Sequence, residues 1–143
     1  EYCCRAGVSA HYFYGRNPDV LGEFAWFAQN CGKKTNPSGL KKPNSWGVFD
    51  MHGNVAEWCL DSHGLPLPTY FVNNPNEVPD KYYLVCRGGS WQDTPEFCRS
   101  SARVKIGSPD RKKATIGFRV VLAPDYDSPA GADVLSAGKI GGK

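Results

Sequence analysis

Residues 50–59 read "DMHGNVAEWC", and the reading of this stretch decides how the chain is assigned. Asp50 and Glu57 flank a glycine and an asparagine, and a tryptophan and a cysteine follow. One reading is a helix start. Asn54 is a favoured N-cap residue, and Glu57 stands where a carboxylate reaches back to the capping amide. On that reading "NVAEWCLD" at 54–61 has helical character, with Val55 and Trp58 turned to the core. Such a cap contributes about 1 kcal/mol and needs no ligand. The other reading is a metal loop. A hard cation such as Ca²⁺ takes roughly six to eight oxygens, mixing carboxylates with backbone carbonyls. Asp50 and Glu57 supply carboxylates, and Gly53 permits the sharp turn that aims its own carbonyl and that of Val55 inward. The spacing is not that of an EF-hand. The two readings are compatible, since a loop can hold an ion where a helix begins.

Working outward, the 143 residues suffice for one domain with a real core. With 16 Gly, 11 Pro and 13% aromatic residues, many turns and short elements are expected rather than long helices. The net charge is only +3, and the basic residues form small clusters, Lys33-Lys34, Lys41-Lys42 and Arg111-Lys112-Lys113. No aromatics interleave with them, so they read as a solvated face and not as a nucleic-acid surface. No apolar run approaches the roughly 20 residues that span a membrane. The sequence opens at Glu1 with no signal peptide, so an upstream part is expected and no address sets the compartment. Six cysteines, at 3, 4, 31, 59, 86 and 98, include no C-x-x-C, which excludes a zinc ribbon or thioredoxin-like motif. They are either disulfide partners or buried free thiols. His11, His52 and His63 lack tight ligand spacing and read as structural or surface residues.

Along the chain, "EYCCRAG" at 1–7 looks like the end of a helix running into a glycine stop. "FAWFAQN" at 24–30 is a short aromatic segment, helix or strand, and 31–45 reads as an ordered surface loop. Residues 62–80 read as a long loop, and "YYLVCRGGSW" at 82–91 as a strand ending in a Gly-Gly bulge or turn. "FCRSSARV" is strand or helix, "GSPDRKK" a turn, and "IGFRVVLAP" at 116–124 the clearest strand. After Pro124 the apolar periodicity stops, so residues 1–124 are taken as the domain and 125–143 as a flexible tail. No nucleophilic triad or phosphate loop is present, and "RGGSW" has neither Walker nor dinucleotide spacing.

Four blocks in order, "NSWGVFDMHGNVAEWC", "RGGSW", "CRSSAR" and "IGFRVV", resemble the sulfatase-modifying-factor family, whose founding members are formylglycine-generating enzymes. "EYCCRAG" resembles the end of that family's N-terminal helix motif, and the resemblance spans about 1–123. It implies the elaborated C-type-lectin-like α+β fold, loop-rich with short strands and few helices, here as a C-terminal portion lacking its N-terminal part. It also implies a structural Ca²⁺ held by the Asp50 side chain, the Gly53 and Val55 carbonyls and the Glu57 carboxylate. The family's other Ca²⁺ site would fall in the loop before residue 50. No Asp or Glu lies between Glu23 and Asp50, so that site is expected to be absent. "RGGSW" and "IGFRVV" are expected to build the core beside the site, with Trp91 and Phe118 largely buried. Arg87 and Arg119 are expected to pair with carboxylates or carbonyls.

Formylglycine-generating enzymes oxidise a sulfatase cysteine to formylglycine with O₂ and copper, which two cysteine thiolates hold. The matching positions here are Pro95 and Ser100, neither of them a cysteine. Soft Cu(I) is held by paired sulfurs, so copper is not expected. Cys98, between the two positions, is the one nearby thiol. It reads as a buried thiol, as a disulfide partner of Cys59 or Cys86, or as part of a rearranged copper site. The favoured reading is a Ca²⁺-stabilised binding or accessory domain, with another domain expected upstream and a protein or peptide as its ligand. The alternatives are an active oxidase and a ligand-binding C-type-lectin-like protein diversified by a retroelement. A sugar-binding lectin is disfavoured, because "FVNNPNEVPD" lacks the sugar-binding tripeptide.

Overall fold

The computed structural model describes residues 1–63, 83–106 and 113–122, with only the backbone described over 60–63. The tail expected at 125–143, the "GSPDRKK" turn except its last residue, and the 62–80 loop from residue 64 onward lie outside the described residues.

Short elements follow from the turn-rich composition. A single helical turn, α1 (Tyr2–Arg5), stops where Ala6 takes a left-handed conformation and Gly7 continues it, as the "RAG" stop predicts. A 3-10 helix follows at Pro18–Glu23, capped by Asn17, whose side chain accepts from the Asp19 amide. Another covers Pro95–Cys98. The strands are β1 (Ala56–His63), β2 (Tyr83–Arg87), β3 (Val104–Ile106) and β4 (Ile116–Gly117). They form one mixed sheet in the order β3-β2-β1-β4, antiparallel except for the parallel β1–β4 pair.

The helix expected at 54–61 is not formed; the segment is the central strand of the sheet. Asn54 does not cap a helix. Its φ is 63°, and its side chain exchanges two 3.0 Å hydrogen bonds with the backbone of Asn36. β1 pairs with β2 along most of its length and with β4 at Ala56 and Glu57, and this pairing outweighs a cap of about 1 kcal/mol. The period of two then divides the segment. Ala56 and Trp58 pack with Cys86, Val104, Ile106 and Ile116, while Glu57 faces the other way.

A second core cluster, under the loops, gathers Tyr12, Leu21, Ala25, Phe27 and Cys98, with Tyr14 against it. Burying each such large apolar side chain is worth about 1.5–3 kcal/mol. His52 is fully buried and stacks on Phe13 at 4.8 Å, and its Nε2 accepts from the Phe13 amide at 3.3 Å. It is a structural histidine, as its spacing suggests.

Two further expectations are corrected. β4 is two residues long, not nine. It forms the edge of the sheet, and beyond Gly117 the chain leaves the ladder, so Phe118 is 78% exposed instead of buried. Trp91 is half-buried, its Nε1 donating to the Ala114 carbonyl at 3.2 Å. Cys98 is a free thiol, so it bonds neither Cys59 nor Cys86.

Candidate functional site

The loop 50–55 is threaded between two parts of the chain. The Gly53 amide donates to Gly88 at 2.8 Å, the Asn54 amide to Trp26 at 2.6 Å, and the Trp91 amide to Asn54 at 2.9 Å. Gly53 has φ 70°, and a Cβ there would run into the Trp26 carbonyl. Asp50 and Asn54 also take left-handed conformations, which Asp and Asn tolerate better than other side chains. The "RGGSW" glycines serve the same junction. Gly89 has φ 72°, and a Cβ there would stand 2.7 Å from Cys98 Sγ.

This threading opens a cavity of about 370 Å³. All four residues singled out in the sequence, Asp50, Gly53, Val55 and Glu57, line it. Asp50 reaches it from the turn before the loop, and Glu57 from the face of β1 turned away from the Ala56–Trp58 cluster. Asp50 Oδ2 accepts from the Gly39 amide at 2.8 Å, whereas Oδ1 is buried with no partner. A cation is one partner that a buried carboxylate oxygen without a donor can accept. Oxygen donors around an orphaned carboxylate oxygen suit a hard cation in chemistry. Among the described residues, no cluster of three or more His, Cys, Asp or Glu side chains suited to a metal exists. The ionisable oxygen donors among the lining residues are the carboxylates of Asp50 and Glu57.

Sequence reasoning missed two parts of this site. The first is the loop around Ser38 and Gly39, which supplies an amide to Asp50. Its only signal is the glycine, because a backbone donor leaves no trace in side-chain identity. The second is the exact role of Arg119. It was expected to pair, and its guanidinium forks onto Glu57 at 2.6 and 2.8 Å. It also donates to the Phe49 carbonyl at 3.0 Å and the Asp50 carbonyl at 3.3 Å, which ties it to the cavity itself. Arg87 pairs with Glu1 at 3.0 Å.

The positions matched to the copper thiolates lie elsewhere. Pro95 opens a 3-10 helix, and its carbonyl accepts from the Tyr12 hydroxyl at 2.9 Å. Ser100 is buried, and its Oγ accepts from the Cys4 thiol at 3.4 Å. Cys98 is fully buried beneath Gly89, and desolvation pushes its thiol up to about 12, so it stays protonated at neutral pH. A proline with no donor atom in its side chain, a hydroxyl and a shielded thiol do not make a soft-metal site: Pro95, Ser100 and Cys98 do not fit copper.

The sulfatase-modifying factor enzyme 1-like domain matches residues 1–124. A formylglycine-generating enzyme of Streptomyces coelicolor is 32% identical over 113 residues, which are 74% of this chain and 35% of that enzyme. The serine/threonine-protein kinase pkn1 of Chlamydia pneumoniae is 34% identical over 80 residues, 54% of this chain and 13% of the kinase. Among solved structures, variable protein 1 of Treponema denticola superposes with a TM-score of 0.66 at 31% identity, over 82% of this chain and 42% of that one. The chain spans less than half the length of each of these proteins. A small mixed sheet, few helices and long loops give the expected α+β class, shared with these formylglycine-generating-enzyme-like structures. The chain belongs to the sulfatase-modifying factor, or formylglycine-generating enzyme, domain family.

Proposed function

We propose that this domain is a Ca²⁺-stabilised binding or accessory member of its family and not a copper-thiolate oxidase. The observation that carries this is the chemistry at positions 95, 98 and 100. Proline offers no side-chain donor, the serine hydroxyl is hard and already bonded to Cys4, and the one thiol between them is shut in and protonated. A protein or peptide is the ligand class proposed, because a family domain without its own chemistry still presents its loops for recognition. The match within 13% of a much longer kinase supports an accessory role alongside other domains.

Ca²⁺ is the metal proposed for the cavity. Asp50 and Glu57 would hold it with the Gly53 and Val55 carbonyls, and the orphaned Asp50 Oδ1 supports that reading. A bound Ca²⁺ would supply the charge that neutralises the two carboxylates. An ion bound only by the folded state, at about 100 times its Kd, adds about 2.7 kcal/mol. For a domain of this size that raises Tm by roughly 5–11 °C. The melting temperature is measured with Ca²⁺ and with chelator on the wild type and on Glu57→Gln. A rise in the wild type that Glu57→Gln lacks is expected; no rise in either protein removes the metal.

Catalysis is tested separately. Copper-loaded protein, O₂ and a cysteine-containing sulfatase peptide are incubated, and mass spectrometry reads the aldehyde. No aldehyde is expected. Turnover that disappears in Cys98→Ser would establish the oxidase instead.

A further inference from the structure

Arg119 already holds the Glu57 carboxylate that the proposed cation would use. Its guanidinium bonds both Glu57 oxygens and takes the carbonyls of Phe49 and Asp50. One positive group thus already collects a carboxylate and two backbone oxygens on the wall of the cavity. Among the described residues, Arg119 is the one cation lining it, with the carboxylates of Asp50 and Glu57. Guanidinium and the proposed dication both claim the Glu57 carboxylate, and both cannot neutralise it at bonding distance without repelling each other.

We infer that Arg119 is a built-in counter-ion that competes with the divalent cation for Glu57. This inference rests on the Ca²⁺ reading above. Two features make the exchange feasible. The Arg119 side chain is 34% exposed, so it has a way out to water. It also follows β4 by two residues, on backbone outside the ladder, so moving it breaks no strand pairing. Without metal, the guanidinium holds Glu57 and the Phe49–Asp50 turn together. With metal, Arg119 is displaced into solvent and the ion takes over the same junction. Metal affinity is then set by the difference between two cations, and the fold survives in either state. Asp50 Oδ1, which the guanidinium leaves unpaired, gains a partner only in the metal-bound state.

The test is calorimetric titration of CaCl₂ into the full chain as wild type, Arg119→Met, Arg119→Lys and Glu57→Gln. Methionine removes the charge without adding an oxygen ligand. Arg119→Met is expected to bind Ca²⁺ about two- to fivefold more tightly, the worth of a partly exposed forked ion pair. In chelator it should melt below the wild type, and Ca²⁺ should close that gap. Lysine keeps the charge but loses the fork, so its affinity should lie between, tighter by about twofold. Unchanged or weaker binding in Arg119→Met, while the wild type binds and Glu57→Gln does not, overturns the competition and leaves the Ca²⁺ site standing. Absence of binding in every protein overturns both. If Arg119→Met does not fold with or without Ca²⁺, Arg119→Lys decides: an affinity equal to the wild type overturns the competition.

Discussion

Lowering the pH from about 7 to about 5 is expected to remove about 2 kcal/mol of stability through His52 alone. The imidazole is fully buried, stacked on Phe13 at 4.8 Å, edge-on to Tyr12 at 5.5 Å and 3.8 Å from the Cys4 thiol. Burial drives its pKa from 6.5 down to about 4, and a backbone hydrogen bond with Cys98 offsets only part of that. The folded pKa is therefore depressed. Between about 6.5 and 4 the unfolded chain binds a proton that the native protein does not, so stability falls as pH falls. This contribution is complete above 6.5, is lost towards about 4, and is flat below that. Across the whole window the shift amounts to roughly 3 kcal/mol. The Glu1 carboxyl, held below its usual value by its Arg5 hydrogen bond, also loses stabilisation as the pH falls into the carboxylate range, but it does so alike in the two proteins compared below. Urea unfolding of the wild type and of His52→Gln, at matched ionic strength and three pH values in this window, reads the effect. Glutamine keeps an acceptor for the Phe13 amide but does not titrate. The variant is less stable throughout, and its stability should be nearly flat in pH where the wild type slopes. Equal slopes in the two proteins would refute the buried neutral histidine.

Other outcomes follow from single contacts. Gly53→Ala combines a left-handed φ with a collision against the Trp26 carbonyl, and should lower unfolding stability by about 3 kcal/mol in urea titration; a loss below about 1 kcal/mol would mean that the loop shifts freely. Native protein treated with a thiol reagent and mapped by mass spectrometry should label exposed Cys3, while Cys86 and Cys98, both pushed up to about 12 by burial, label only in denaturant. Prompt labelling of Cys98 in the native protein contradicts its place under Gly89.

The parts of the fold that were legible in the sequence are those set by local chemistry. The "RAG" stop, the "YLVCR" strand and its Gly-Gly end are formed as read, because a left-handed turn and an alternating apolar run leave residue-level marks. β1 was misread because Asn-x-x-Glu is the mark of a helix start. Nothing local in "NVAEWCLD" announces that β2 and β4 will pair with it from some 30 and 60 residues away. The strand at 116–124 was over-read for the mirror reason: an apolar run on a sheet edge has no partner to extend along. Of the candidate site, Asp50, Gly53, Val55 and Glu57 were visible and lie together. The Gly39 amide and the carbonyls that receive Arg119 were not, since a peptide group has no letter of its own.

The two-residue β4 has a consequence for the order of events in folding. Both buried clusters draw their core members from residues up to Ile106, so each can assemble before β4 arrives. The cavity cannot, because its last wall is Phe118 and Arg119, and Arg119 lies 62 residues beyond its partner Glu57. Such a closure is slow to find, and it is held by side-chain bonds more than by strand pairing. In the finished molecule it is also the cheapest piece to release, since only the pairs Ala56–Ile116 and Glu57–Gly117 join β4 to the sheet. Amides around Ile116 should exchange with solvent well before those of Val85 and Cys86. A chain ending before residue 116 would keep most of both cores and have no complete cavity.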